Sequence, residues 1–186
     1  MKYLVAGLGN IGPEYELTRH NIGFLVLDQL ADKHNAAFSV TRLAEKAEFR
    51  FKGKQIHMIK PSTYMNLSGK AVAYWLSTLR LKPEQLLIVV DDIALPFGSL
   101  RLRPRGTSAG HNGLKSIEES LGSINYPRLR FGIGNAYPRG QQADYVLSNF
   151  NKEEFDRLPE IINKACEMIL SSISIGIEKT MSLYND

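Results

Sequence analysis

Thiol is almost absent from this chain. Its 186 residues include one cysteine, Cys166, which excludes an internal disulfide and gives no reason to place the protein in an oxidising compartment. Long apolar runs are missing as well. The longest aliphatic stretch, Leu86-Leu87-Ile88-Val89-Val90, falls far short of the ~20 residues that span a bilayer. Met1–Ala6 meets Gly7 too soon for a signal-peptide core, so no leader and no glycan at Asn66-Leu67-Ser68 are expected. HExxH, CxxC and clustered-carboxylate patterns are absent, and Asp91-Asp92 alone is too small a basis for a metal site. Repeats, linkers and low-complexity tracts are lacking too. Charge is nearly balanced, 23 basic against 19 acidic residues for a net of +4, so the placement of basic residues matters more than their number. What remains is ordinary globular material, 44% hydrophobic and 23% charged. At ~150 residues per domain, one domain over residues 1–186 of a reduced, cytoplasmic protein is expected.

Tyr3–Ala6 reads as a buried strand entering the turn Gly7-Leu8-Gly9-Asn10. Ile22, Phe24, Leu25, Leu27, Leu30 and Ala31 recur at near-helical spacing from Asn21 to His34, with Asn21 a candidate N-cap. Glu48–Phe51 and Gln55–Ile59 form a predicted hairpin ended by Pro61, and a helix is predicted from Leu67 to Leu81. Leu86–Val90, apolar on both faces, reads as a strand covered on both sides. Ser99–Arg103 and Arg128–Ile133 alternate arginine with apolar residues, which predicts strands with an outward basic face. Asn112–Leu121 follows as a helix. A long last helix opens on the capping-box pair Asn151 and Glu154, where Pro159 suits only the first turn or a kink. The alternation of strands and helices points to the α/β class. The expected form is a single three-layer domain whose twisted, mixed but mostly parallel sheet has helices on both faces.

Two motifs suggest other chemistries and fail. Gly7-Leu8-Gly9-Asn10-Ile11-Gly12 matches the dinucleotide fingerprint, yet Pro13 disturbs the helix that should face a pyrophosphate and the acidic residue ~20 positions on is missing. Gly106-Thr107-Ser108-Ala109-Gly110 matches a nucleophile elbow, yet the only later histidine, His111, is too near in the chain to be a separate triad arm. Cys166 reads as packed within the last helix.

If the parallel strands are real, ligands collect beyond their carboxyl ends. Asn10 and Asp91-Asp92 leave two such strands there, and His20 stands just before the first helix. A loop histidine beside a strand-end aspartate suits general-base hydrolysis, the carboxylate fixing the tautomer. Asn10, Asn66 and Asn112 each stand at a turn or helix start and could hold a peptide backbone or an oxyanion. Arg101, Arg103, Arg105, Lys115, Arg128 and Arg130 beside a glycine loop feeding a helix suggest a ribose–phosphate chain bound through its backbone. A non-catalytic RNA-binding module and a nicotinamide-dependent oxidoreductase are the competing readings.

These residues resemble the bacterial peptidyl-tRNA hydrolase family. The likeness runs through Gly7-Leu8-Gly9-Asn10-Ile11-Gly12-Pro13-Glu14-Tyr15, Thr18-Arg19-His20-Asn21-Ile22-Gly23 and Lys60–Gly69. It continues in Asp91-Asp92, Gly110–Lys115 and Arg128–Gly134, in family order. The resemblance implies a monomeric α/β hydrolase, without metal or other cofactor and needing no protein partner. Such an enzyme cuts the ester joining a peptide to the terminal ribose of tRNA and engages the acceptor stem and 3′ end. By position it implies His20 as the base that activates water and Asp92 as the residue that orients it. Asn10, Tyr15, Tyr64, Asn66 and Asn112 fall at substrate-binding positions, and Arg103 and Arg130 at tRNA-phosphate positions. Asp91 stands where many members have histidine, Phe97 replaces a frequent proline, and Ala109 occupies a loop site that is often glycine.

Overall fold

β1 (Lys2–Gly7) and β5 (Leu86–Asp92) run side by side and parallel at the centre of the sheet. Their side chains divide between two cores by strand alternation. Val5, Leu87 and Val89 enter one core with α1 (Ile22–Lys33) and α5 (Lys152–Ile175). Leu4, Ala6, Leu86, Ile88 and Val90 enter the other with α2 (Ser68–Leu79) and α3 (Asn112–Leu121). This computed structural model describes residues 1–185. The remaining strands are β2 (Ser39–Val40), β3 (Ala44–Phe51), β4 (Lys54–Pro61), β6 (Leu100–Arg103) and β7 (Arg128–Gly132), in the order β2-β3-β4-β1-β5-β7-β6. The inner run β4-β1-β5-β7 is parallel, and β3 and β6 pair antiparallel at its flanks. The expected three-layer α/β arrangement is therefore present.

Glycine explains how β1 meets α1. A Cβ on Gly7 would lie 2.3 Å from the Gly23 carbonyl oxygen, and one on Gly23 would lie 2.5 Å from the Leu8 nitrogen. The opening glycine pattern therefore serves a close helix–strand crossing, and Pro13–Tyr15 forms only a short turn after Gly12.

Three expectations change. Arg128 does not face outward: β7 lies inside the sheet, and the residue is 2% exposed. Its guanidinium donates to the carbonyls of Gly106, Ile124 and Tyr126 and stacks 4.2 Å from the Tyr126 ring centre, so it ties down the glycine loop. Pro159 sits inside α5 beyond the first turn, and the helix continues through it. The carbonyl this proline leaves unpaired belongs to exposed Phe155, where water can serve it. The last helix also breaks at Gly176, whose φ of 96° starts α6 (Ile177–Tyr184). Among the described residues no helix is long and apolar enough to cross a membrane.

Candidate active site

A cleft of about 820 Å³ opens beyond the carboxyl ends of β1 and β5. Its walls come from the turn after β1, the strand end Asp91-Asp92, the glycine loop and start of α3, and a short helix α4 (Gln142–Val146). Asn10, His20, Tyr64, Asn66, Asn112, Arg103 and Arg130 all line it. Tyr15 does not; it closes the Pro13–Tyr15 turn outside the lining, where its carbonyl accepts from Thr18.

The carboxylate beside His20 belongs to Asp91, not Asp92. His20 Nδ1 lies 2.8 Å from Asp91 Oδ2. Asp92 instead accepts from Arg130 Nε and, at 2.7 Å, from the Ala94 backbone N–H. The expectation for Asp92 fails on strand alternation. Asp91 follows Leu87 and Val89 onto the face covered by α1, and His20 lies in the Arg19–Asn21 turn that leads into that helix. Asp92 follows Leu86, Ile88 and Val90 onto the opposite face, which Arg130 shares.

His111, set aside in the sequence reading, holds the other side of the same carboxylate, with Nε2 2.8 Å from Asp91 Oδ1. Its tautomer follows from its other nitrogen. His111 Nδ1 caps α3, accepting from the backbone N–H groups of Gly113 and Leu114 at 3.1 and 3.3 Å. Nδ1 therefore carries no proton and Nε2 carries one, donated to Asp91. Burial alone would push the Asp91 carboxyl up, but the His111 and His20 imidazoles outweigh it and hold the group well below the usual carboxylate range. An ionised carboxylate only accepts, so neutral His20 is held with its proton on Nδ1 and a lone pair on Nε2.

The donor atoms of His20, Asp91 and His111 lie within 4.8 Å of one another, close enough to share one cation. Each is already bound to another by a proton, so a cation would have to displace both. The set fits a proton network better than a coordination shell. Cys166 is no rival nucleophile: it is buried beneath α1, and burial pushes its thiol up to about 11.

Asn21 also acts differently from its expected role as a helix cap; no side-chain cap bond forms. Its carboxamide pairs with the backbone of Asn10, accepting from Asn10 N–H at 2.8 Å and donating to Asn10 C=O at 2.9 Å. Asn10 Oδ1 in turn accepts from Met65 N–H at 2.6 Å, leaving the Asn10 Nδ2 donors for a ligand. Replacing Asn21 by alanine strands two buried polar groups, each costing about 1–3 kcal/mol. The expected result is a folded protein whose kcat/KM falls at least about 10-fold. Unchanged kcat/KM in folded Asn21→Ala would remove this clamp from the site.

An α/β fold with an imidazole–carboxylate network at its strand ends, amide groups around it and arginines beside it defines a hydrolase-type cleft. The family model described as peptidyl-tRNA hydrolase matches residues 4–186, and the chain belongs to that family. The peptidyl-tRNA hydrolases of Cytophaga hutchinsonii and Phocaeicola vulgatus are 50% and 54% identical over 185 residues, covering 100% of this chain and 98% and 99% of theirs. A crystal structure of peptidyl-tRNA hydrolase from Acinetobacter baumannii superposes with a TM-score of 0.93 at 31% identity, over 98% of this chain and 94% of that one.

Proposed function

We propose that the protein hydrolyses the ester between a peptide, or an N-blocked aminoacyl group, and the terminal ribose of tRNA. The observation that carries the mechanism is the bridging of Asp91 by two imidazoles, with His111 locked by its cap. His20 Nε2 takes a proton from water as the water oxygen attacks the ester carbonyl. Asp91 stabilises the imidazolium that forms. When the tetrahedral intermediate collapses, the C–O bond to ribose breaks and His20 returns the proton to the leaving hydroxyl. Asn10 Nδ2, with Asn66 and Asn112, supplies uncharged donors for the peptide carbonyls and the developing oxyanion. Tyr64, on the exposed rim, offers a surface for the end of the substrate. Arg103 and Arg130 meet the phosphates of the acceptor stem. Tyr15, outside the cleft lining, has no assigned contact with the substrate. The reading takes the chain as one domain acting as a cytoplasmic monomer, with tRNA as its only macromolecular partner.

The test is tRNA release from N-acetyl-aminoacyl-tRNA and from free aminoacyl-tRNA. Turnover of the blocked substrate, much slower turnover of the free one, and kcat/KM that falls as salt rises from ~50 to 200 mM are expected, because phosphate contacts release counterions. Tight tRNA binding without ester cleavage would favour the non-catalytic RNA-binding module instead. A flat salt response would remove Arg103 and Arg130 from substrate binding.

A further inference from the structure

Arg19 stands next to His20 in the chain and is 7% exposed, yet the mechanism above gives it no task. Its contacts run in one direction, toward the α4 wall of the cleft and the start of α5. Its guanidinium donates through one terminal nitrogen to Ser148 Oγ and to the Asn149 carbonyl at 2.9 Å, and through the other to Glu154 at 2.8 Å. The group lies over the Tyr145 ring, 4.2 Å from its centre. The Arg19 backbone N–H donates to the Ser148 carbonyl at 3.0 Å, and neighbouring Thr18 bridges Asn149.

Both ends of this assembly are tied to the site. Tyr145 belongs to α4, whose Gln142, Ala143 and Val146 line the cleft, and its hydroxyl donates to the Ile133 carbonyl at 2.6 Å. Glu154 also closes the α5 capping box, accepting from Asn151 N–H at 3.0 Å. At the other end Arg19 shares a single helical turn, Arg19–Asn21, with His20 and with the Asn21 clamp on Asn10.

We propose that Arg19 is a positioning residue that couples the α4 wall to His20, so that contact of the substrate with α4 sets the orientation of the base. The inference rests on the reading of His20 as that base. A guanidinium suits the task because it offers a flat face for Tyr145 and a rigid fork of N–H groups that reaches three acceptors at once; an ammonium keeps the charge and some donors but has no such face. Misplacing a catalytic group by about 1 Å can cost 10²-fold in rate, so the side chain of the adjacent residue can matter without touching the substrate.

The experiment compares Arg19→Gln, Arg19→Lys and Tyr145→Leu with the parent protein and with His20→Ala, on N-acetyl-aminoacyl-tRNA. Read together are kcat, KM, Tm and the pH dependence of kcat/KM. Arg19→Gln should lower kcat between about 10- and 10²-fold, with a smaller change in KM and a displaced pH profile, and Arg19→Lys should restore part of the loss. In the Tyr145→Leu background, Arg19→Gln should cost markedly less, since the coupling is already broken. A fall in Tm with parental kcat and pH profile at a temperature where the variants are folded would overturn the proposal, as would a loss confined to KM. If Arg19→Gln fails to fold, Arg19→Lys and Tyr145→Leu carry the same test. Parental turnover in His20→Ala would bring down the base itself, whereas an inactive His20→Ala beside fully active Arg19 variants would bring down only the coupling.

Discussion

His20→Ala is expected to lower kcat by about 10²–10⁴-fold, the usual worth of a positioned general base, while KM and Tm stay near their parental values. The side chain is 8% exposed and, among the described residues, is hydrogen-bonded to Asp91. Truncation therefore opens a small polar space beside the cleft without disturbing either core. Binding should survive, because the donors assigned to the peptide sit on Asn10, Asn66 and Asn112 and those assigned to phosphate on Arg103 and Arg130. Steady-state kinetics on N-blocked aminoacyl-tRNA measure both parameters. Parental turnover by a folded His20→Ala protein would exclude the imidazole from the chemical step.

Asp91→Asn and Asp92→Asn should differ sharply, though the two residues are adjacent. His111 Nε2–H needs an acceptor, since its Nδ1 is committed to the α3 cap. An asparagine at position 91 must therefore turn its oxygen to His111 and its NH2 to His20. His20 Nδ1 then becomes an acceptor, its proton moves to Nε2, and the lone pair that should take a proton from water is gone. A loss of kcat on the order of 10²-fold or more follows. Asp92→Asn loosens Arg130 instead, so it should raise KM or alter the salt slope while changing kcat less than about 10-fold, as suits a partly exposed ion pair. Equal losses of kcat in the two variants would contradict the assignment, and the reverse ranking would restore Asp92.

Much of this protein was legible before its structure. β-strand and helix periods located the central strands, α1, α2 and α3, and the expected three-layer α/β form followed from their alternation. His20 and the asparagines were found because polar residues at the ends of apolar strands have few other reasons to be there. The Asp91/Asp92 choice was not legible in the same way. Two adjacent strand residues point to opposite faces, and which face α1 covers is decided by tertiary packing through Gly7 and Gly23. His111 was missed because nearness in sequence to Ser108 was read as excluding it, whereas its actual partners are Asp91, twenty residues upstream, and the N–H groups of its own helix. Asn21 carries the signature of a cap, and only the chain reversal after Gly9 brings Asn10 within its reach. Arg128 looked like part of a basic face since alternation cannot tell solvent from a shell of carbonyls.

The most direct measurement is the 15N spectrum of the His20 ring in the free protein, at a pH where the imidazole is neutral. Shifts typical of a protonated Nδ1 and a bare Nε2, with His111 showing the opposite pattern and Asp91→Asn reversing His20 alone, are the predicted result. A proton resting on His20 Nε2 in the parent protein would leave no base facing the ester and would contradict the account.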